Sequence, residues 1–334
     1  MARVDLIILN WNGRRFLEPC LEAVLAQTYH DFQIWIVDNG STDGSVAFIQ
    51  TRYPQARLIV NASNRGFATA NNQAIRAGTA EYVATLNNDT EVEPTWLEAL
   101  VQAMDTHPRV GMCASKMLFA GSQMVINSAG IVIDRVGIAW DRSGGQRDNP
   151  REDKRQFVFG ACAGAALYRR AMLDEIGLFD ENFFAYLEDV DLAWRAQWLG
   201  WKALYVPQAR VYHRHSATMT EGAPLKAYLL ARNKIVTLAR NYPGPYWIVY
   251  LPLIVFYEVL SMAFSVFNRR GVSALRGRWA GLCAVPAAWR ARQARARRPH
   301  VPARAGFARL EPASWPWQVY ARYRHLRSAA RRPH

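Results

Sequence analysis

Four times in the first hundred residues, a short apolar run stops at a polar loop and a helical pattern follows. The runs are 4–9 (VDLIIL), 32–37 (FQIWIV), 57–60 (RLIV) and 82–86 (YVATL), and their loops begin at Asn10, Asp38, Asn61 and Asn87. Compact runs rich in branched residues, with no alternation, read as strands buried on both faces. After the first run, Phe16, Leu17, Cys20, Leu21, Val24 and Leu25 recur at helical spacing, so 14–27 is an amphipathic helix. Strand–helix alternation implies a parallel sheet with right-handed crossovers. The loops after Leu9, Val37, Val60 and Leu86 then share one edge, where open α/β sheets take ligands. The expected fold class is α/β, with a Rossmann-like, mostly parallel sheet flanked by helices.

The fourth loop, Asn87-Asn88-Asp89, admits two readings. It is an Asx-type turn, for which Asn and Asp are the usual residues. Alternatively, a carboxylate flanked by amides holds a divalent cation through oxygen ligands. The convergence of polar loops on one edge favours the second.

Beyond residue 100 the pattern is less regular. Strands are expected over 110–119 and 125–140, the second broken at Gly130 and Gly137. Residues 141–155 (DRSGGQRDNPREDKR) form an exposed loop, read equally as a mobile lid or a plain surface loop. Residues 157–170 are rich in small side chains and lead into a helix at about 171–176. Another helix opens with Glu188, Asp189 and Asp191. Carboxylates in a first turn gain about 0.3–1 kcal/mol each from the helix dipole. That explains one or two of them, not why the run sits among Phe183, Phe184, Tyr186 and Trp194, where charge is costly without a task. A strand at 201–206 precedes Val211-Tyr212-His213-Arg214-His215, and His213 after a strand suits a second metal ligand.

The net charge of +14 suggests a nucleic-acid binder until it is divided along the chain. Residues 1–267 hold 25 Lys+Arg against 26 Asp+Glu, a net of −1; residues 268–334 hold 16 Arg against Glu311 alone, a net of +15. Residues 246–267 are apolar but contain Pro252 and Glu258. About 20 such residues span a bilayer. A span, an interfacial helix or re-entrant hairpin, and a buried helix all remain open. Arginines and Trp279, Trp289, Trp315 and Trp317 beside that segment suit an anionic membrane surface. RNA is the rival partner for such a tail, and no nucleic acid is expected. The four cysteines form no CxxC pair, which disfavours a zinc cluster or disulfide scaffold. With no signal peptide legible, a cytoplasmic setting is expected.

Several blocks, in order, resemble one family. Ile7-Ile8-Leu9-Asn10-Trp11-Asn12-Gly13, Val37-Asp38-Asn39-Gly40-Ser41-Thr42-Asp43-Gly44, Asn64-Arg65-Gly66-Phe67-Ala68 through Asn72, Asn87-Asn88-Asp89, and Gly177-Leu178-Phe179-Asp180-Glu181 with Glu188-Asp189 resemble an inverting family 2 glycosyltransferase of GT-A fold. The resemblance covers about residues 4–240. It implies a catalytic domain over 1–240, with a nucleotide-sugar half to about 110 and an acceptor half over 111–240. A membrane-associating segment (241–268) and an Arg/Trp-rich tail (269–334) follow. By that resemblance Leu9, Asn10 and Asp38 place the nucleoside, Arg65 the diphosphate and Asn88 the ribose. Asp89 and His213 hold Mg2+ or Mn2+, and Asp189 is the general base, with Glu188 and Asp191 as fallbacks on the substrate side. Asn87-Asn88-Asp89 departs from the family's DxD motif by keeping one carboxylate. No QxxRW motif is present, which points to single-sugar transfer. The third block is rhamnosyltransferase-like. The implied reaction is transfer from dTDP-rhamnose, or another nucleoside-diphosphate sugar, to a lipid-linked saccharide hydroxyl. It would serve a bacterial surface polysaccharide at the cytoplasmic face of the inner membrane, with peripheral or monotopic attachment. A polyprenyl-phosphate acceptor and a non-catalytic nucleotide-sugar-binding scaffold are the alternatives.

Overall fold

The computed structural model describes residues 2–214, 223–296 and 301–330; His215 and the Arg297–Arg298 pair of the basic run lie outside them. The four repeats form as expected. They are β1 (Val4–Asn10), α1 (Arg14–Leu25), β2 (Phe32–Asp38), α2 (Ser45–Arg52), β3 (Arg57–Val60), α3 (Gly66–Ala77) and β4 (Tyr82–Asn87). β1 lies parallel between β2 and β4, with β3 beyond β2, so all four polar loops leave one edge. Both faces of β1 are buried. Val4, Leu6 and Ile8 pack against α1, while Ile7 joins a second core with Ala70 and Ala74 of α3. That two-sided burial is why the run shows no alternation.

The second half completes the sheet. β5 (Thr90–Val92) follows the Asn-Asn-Asp loop at once, then α4 (Trp96–Asp105) leads to β6 (Val110–Phe119). The expected strand over 125–140 is instead β7 (Ser122–Ser128), β8 (Ile131–Ile133) and β9 (Ala139–Asp141). Gly130 (φ +98°) and Gly137 (φ +75°) make the turns. After β10 (Gln156–Val158) comes β11 (Ala165–Arg169), where the sequence suggested only a small-residue approach to a helix. β11 is a central strand, antiparallel to both β4 and β6. Wedged between two strands and covered on both faces, it is buried at Ala165 and Ala166, and its pattern carries no strand signal.

The charged 141–155 loop is tethered. Lys116 Nζ, fully buried, lies 2.7 Å from carboxylate oxygens of both Asp148 and Asp153. Helices α5 (Arg170–Ile176) and α6 (Glu188–Trp198), then β12 (Lys202–His213), close the sheet in the order β10-β12-β6-β11-β4-β1-β2-β3.

The carboxyl-terminal region folds back on this body. α7 (Pro224–Asn241) is followed by α8 (Trp247–Phe267) and α9 (Gly271–Ala296). α9 crosses α7 closely because Gly277 and Gly281 face it: a Cβ at Gly277 would stand 2.2 Å from the Tyr228 carbonyl oxygen. α8 is one continuous helix, which removes the re-entrant hairpin. It is not a buried helix either, since Ile248, Val249, Val259 and Phe267 are 64–87% exposed. Only Ile254 and Tyr257 turn fully into the core. Its mid-helix Glu258 is paired with Lys234 of α7 (2.7 Å) and Arg278 of α9 (3.0 Å). Beyond α9, α10 (Ala303–Phe307) stacks Phe307 on Tyr246, and α11 (Pro316–Ala330) lies along α8 through Tyr323 and Phe264. Not every tail arginine faces outward. Arg295 Nη1 donates to Asn241 Oδ1 (2.6 Å) and Arg309 Nη1 to the Gln197 carbonyl (2.9 Å).

Candidate active site

The ends of β1, β2 and β4 are knitted by amide side chains. Asn10 Nδ2 donates to Asp38 Oδ2 (2.8 Å), and the Ser41 amide to Asp38 Oδ1 (2.8 Å). Asn88 Nδ2 donates to Asn10 Oδ1 (2.7 Å). Gly13 permits that approach, since a Cβ there would stand 2.0 Å from Asn88 Nδ2. Asn39 forms a second knot, accepting from Asn61 Nδ2 (3.1 Å) and the Arg65 amide (3.0 Å). Buried polar groups paired this fully make a rigid floor.

Above that floor opens a cleft of about 400 Å³. Leu9, Trp11, Asn88, Asp89 and His213 from the sheet edge, and Tyr186, Glu188, Asp189 and Lys226 from the loop before α6, from α6 and from α7, all line it. Strand pairing brings His213 to Asp89. β5 begins one residue after Asp89 and pairs antiparallel with β12, setting Thr90 opposite His213. His213 Nε2 stands 3.2 Å from Asp89 Oδ1, and its Nδ1 is 2.9 Å from Asn127 Oδ1. If Nδ1 donates to that oxygen, the neutral ring aims an Nε2 lone pair at a carboxylate. The clash is relieved by a proton or by a cation between the two. Burial opposes charge on the ring, but Asp89 outweighs it and the His213 pKa is raised. Among the described residues no three His, Cys, Asp or Glu side chains converge as a metal cluster.

The acceptor side rests on a strained loop. Phe184, Tyr186 and Leu187 have φ of 64°, 70° and 67°, a region non-glycine residues enter only at a cost. Two devices hold them. The Phe184 carbonyl accepts the Phe67 (2.6 Å) and Ala68 (3.3 Å) amides at the start of α3. Gly66 (φ +83°) makes room, for a Cβ there would meet that carbonyl at 2.6 Å. From α7, the fully buried Asn233 donates Nδ2 to the carbonyls of Phe183 (3.0 Å), Ala185 (2.9 Å) and Tyr186 (2.8 Å).

The three acids that open α6 part company. Burial pushes the Asp189 pKa up to about 6, against amide donation from Ala163 (3.3 Å). Glu188 is driven well above its ordinary range by burial first and then by the Asp189 charge, and its Oε2 is buried with no hydrogen-bond partner. Asp191 is fully buried, more so than Asp189, yet Arg195 (2.8 Å) and Arg240 (3.6 Å) more than offset that burial and its pKa is lowered. Arg195 in turn donates to the carbonyls of Ile176, Gly177 and Leu178. Asp191 thus staples a turn on the far side of the helix.

A comparison of the chain with known families finds that the model for glycosyl transferase family 2 matches residues 5–177, about half the chain. The chain belongs to that family. This glycosyltransferase is 28% identical over 267 residues to the N-acetylglucosaminyl-diphospho-decaprenol L-rhamnosyltransferase of Mycobacterium tuberculosis, spanning 72% of this chain and 85% of that one. Its fold is GT-A. It is similar to the mannosyltransferase of Pyrobaculum calidifontis in complex with GDP-Man and Mn2+ (TM-score 0.51, 18% identity, 98% of this chain and 86% of that one). It is similar also to GalNAc-T7 with UDP, GalNAc and Mn2+ (TM-score 0.59, 14% identity, 75% of this chain and 50% of that one).

The expected residues of this glycosyltransferase fall into three groups. Leu9, Asn88, Asp89, Glu188, Asp189 and His213 line one cleft. Asn10 and Asp38 lie fully buried beneath it with their side chains engaged on each other, not facing the cavity. Arg65 is exposed beside the cleft-lining Asn64 and Gly66, and Asp191 lies outside the cleft because two arginines claim it. Sequence reasoning missed Trp11, Asn127, Lys226 and Asn233. Trp11 stood in a quoted motif, but the other three carry no local signal.

Proposed function

We propose that this glycosyltransferase moves one sugar, with inversion, from a nucleoside-diphosphate sugar to a hydroxyl of a saccharide carried on a polyprenyl diphosphate. The product would enter a cell-surface polysaccharide. The observation that carries this reading is the division between Glu188 and Asp189 in the cleft: burial and the neighbouring Asp189 charge drive the Glu188 pKa well above its ordinary range, while Asp189, at about 6, is ionised near pH 7. A base poised near the working pH suits proton removal from a hydroxyl. Asp189 takes the proton as the acceptor oxygen bonds to the anomeric carbon. The carbon–oxygen bond to the diphosphate breaks on the opposite face, and its electron pair leaves with the diphosphate. A phosphate acceptor needs no base, so the ionisable Asp189 favours a hydroxyl.

Leu9 and Trp11 offer an apolar wall and an aromatic face for the nucleoside and Asn88 a polar contact for the ribose; the exposed Arg65, between the cleft-lining Asn64 and Gly66, offers a charge for the diphosphate. The Asp89–His213 pair fits a divalent cation, Mg2+ or Mn2+, by its oxygen and nitrogen donors. Such an ion would neutralise charge on the departing diphosphate. With two protein ligands, most of its coordination would fall to diphosphate and water. dTDP-rhamnose is the favoured donor, supported by the similarity to the mycobacterial rhamnosyltransferase.

The helix spanning 244–267 is long and apolar enough to cross a membrane. Its docked face, through Tyr250, Ile254 and Tyr257, favours an in-plane helix at the cytoplasmic surface, because a crossing helix would drag the domain into lipid. The deciding experiment is transfer from dTDP-rhamnose and other nucleotide sugars to lipid-linked N-acetylglucosamine, with Asp189→Asn alongside. Transfer by the wild type and none by the variant supports the proposal; full turnover by Asp189→Asn removes the assigned base.

A further inference from the structure

A second cavity of about 410 Å³ lies between α7, α8, α9 and α11, within the ~300–1,000 Å³ usual for ligand sites. It adjoins the catalytic cleft: Ala139, Leu187 and Leu230 line both. Along α7, Lys226 lines the cleft, Leu230 both cavities and Lys234 the groove, a stripe at spacing four that runs for about 12 Å of helix. The charged residues of the groove are Lys234, Arg270 and Arg278 against Glu258, three cations to one carboxylate. The rest of its wall is mainly apolar or aromatic, with Leu260, Phe264, Val319 and Tyr320 from α8 and α11. The outer side of α8, with Val255, Phe256 and Val259, is exposed and apolar.

We infer that this groove binds the isoprenoid diphosphate that carries the acceptor saccharide. The diphosphate lies among Lys234, Arg270 and Arg278, the first prenyl units run along Leu260, Phe264 and Tyr320, and the saccharide hydroxyl reaches Asp189. Three features match that one ligand: an apolar trough, an excess of two positive charges, and direct continuity with the cleft that holds the base. A soluble sugar nucleotide would leave the apolar trough unfilled, and a free fatty chain would leave the excess cations unmatched. The inference rests on the proposed transfer to a lipid-linked acceptor and gives that acceptor its site.

The test is calorimetric titration of the full chain with farnesyl diphosphate, after saturation with dTDP to fill the donor site, beside inorganic pyrophosphate and farnesol. Farnesyl diphosphate should bind at least tenfold more tightly than either fragment. Ser261→Trp fills the groove from an exposed position on α8, and Arg270→Glu reverses one of its charges; each should weaken binding about tenfold. Equal affinity for farnesyl diphosphate in wild type and both variants overturns the inference, as does equal affinity for farnesol or pyrophosphate. The enzymatic reading fails separately, through absence of dTDP binding and of sugar transfer to any acceptor. Transfer with equal kcat/KM to farnesyl- and methyl-linked N-acetylglucosaminyl diphosphate leaves the enzyme in place and removes the groove.

Discussion

Asn233 is the residue on which the acceptor side should depend most heavily without touching substrate. One amide nitrogen, with two hydrogens, is shared by three carbonyls at 2.8–3.0 Å, all from the segment Phe183–Tyr186. Each net hydrogen bond contributes about 1 kcal/mol, so its removal forfeits about 2 kcal/mol and leaves buried carbonyls unpaired. Against that stands the strain at Phe184, Tyr186 and Leu187, about 1–2 kcal/mol per left-handed residue. Three such residues total about 3–6 kcal/mol, so the clamp offsets a third to two-thirds of the strain, and without it the loop loses about 2 kcal/mol against its relaxed alternatives. A loss of about 2 kcal/mol in its population is about a 30-fold fall in rate. Asn233→Leu, which keeps volume but removes the donor, and Asn233→Ala should both lower acceptor kcat/KM by that factor. Donor KM should change little, because Leu9, Trp11 and Asn88 belong to other elements. Loosening the loop also exposes Asp189, so the acid limb of the pH–rate profile should move to lower pH. Steady-state kinetics with both substrates varied, over pH 5–8, reads all three. Folded variants with unchanged acceptor kcat/KM and an unmoved acid limb would refute the positioning role.

Other outcomes follow from the same geometry. Wild-type kcat/KM should fall about tenfold per pH unit below about pH 6, as Asp189 takes up its proton; a flat profile down to pH 5 contradicts the base. For stability the sign runs the other way. An acid whose pKa rises on folding, from 3.8 to about 6, favours the fold while protonated, and that contribution vanishes as pH rises through 6. Asp189→Asn should therefore raise Tm at pH 7.5 but not at pH 4, while abolishing transfer; equal Tm changes at both pH values would show that burial does not set its pKa. Asp89→Ala and His213→Ala should each weaken donor binding measured with Mg2+ or Mn2+ by tenfold or more. EDTA should do the same to the wild type and little to the variants, and indifference to both removes the cation site. In vesicle flotation the chain should rise with anionic and less with neutral liposomes, and Val255→Glu with Val259→Glu should keep it at the bottom; unchanged flotation would place the membrane contact elsewhere.

The nucleotide half was legible because its signals are local. Branched apolar runs, helical spacing and polar loops lie within a few residues of one another, and parallel topology carries those loops to one edge. The acceptor half was legible in part. The acidic run at α6 stood out against its aromatic neighbours, but nothing local separates Asp189 from Asp191. The choice is made by Arg195, one turn along, and by Arg240 on another helix, which claim Asp191 and leave Asp189 to the cleft. β11 was missed because a strand covered on both faces needs neither alternation nor bulk.

By itself, then, the sequence determined the α/β architecture, the polar loop edge, the family resemblance, and an apolar segment followed by a basic one. Tertiary structure decided what each of those parts faces. It set His213 against Asp89 through a strand pairing and sank Asp38 and Asn10 beneath the cleft. It turned Glu258 inward onto two cations and laid α8 beside a groove that opens into the site. The reason is physical. Periodicity and turn chemistry act over a handful of residues, while burial and ion pairing are fixed by neighbours far along the chain, and those two set the charge on each acid.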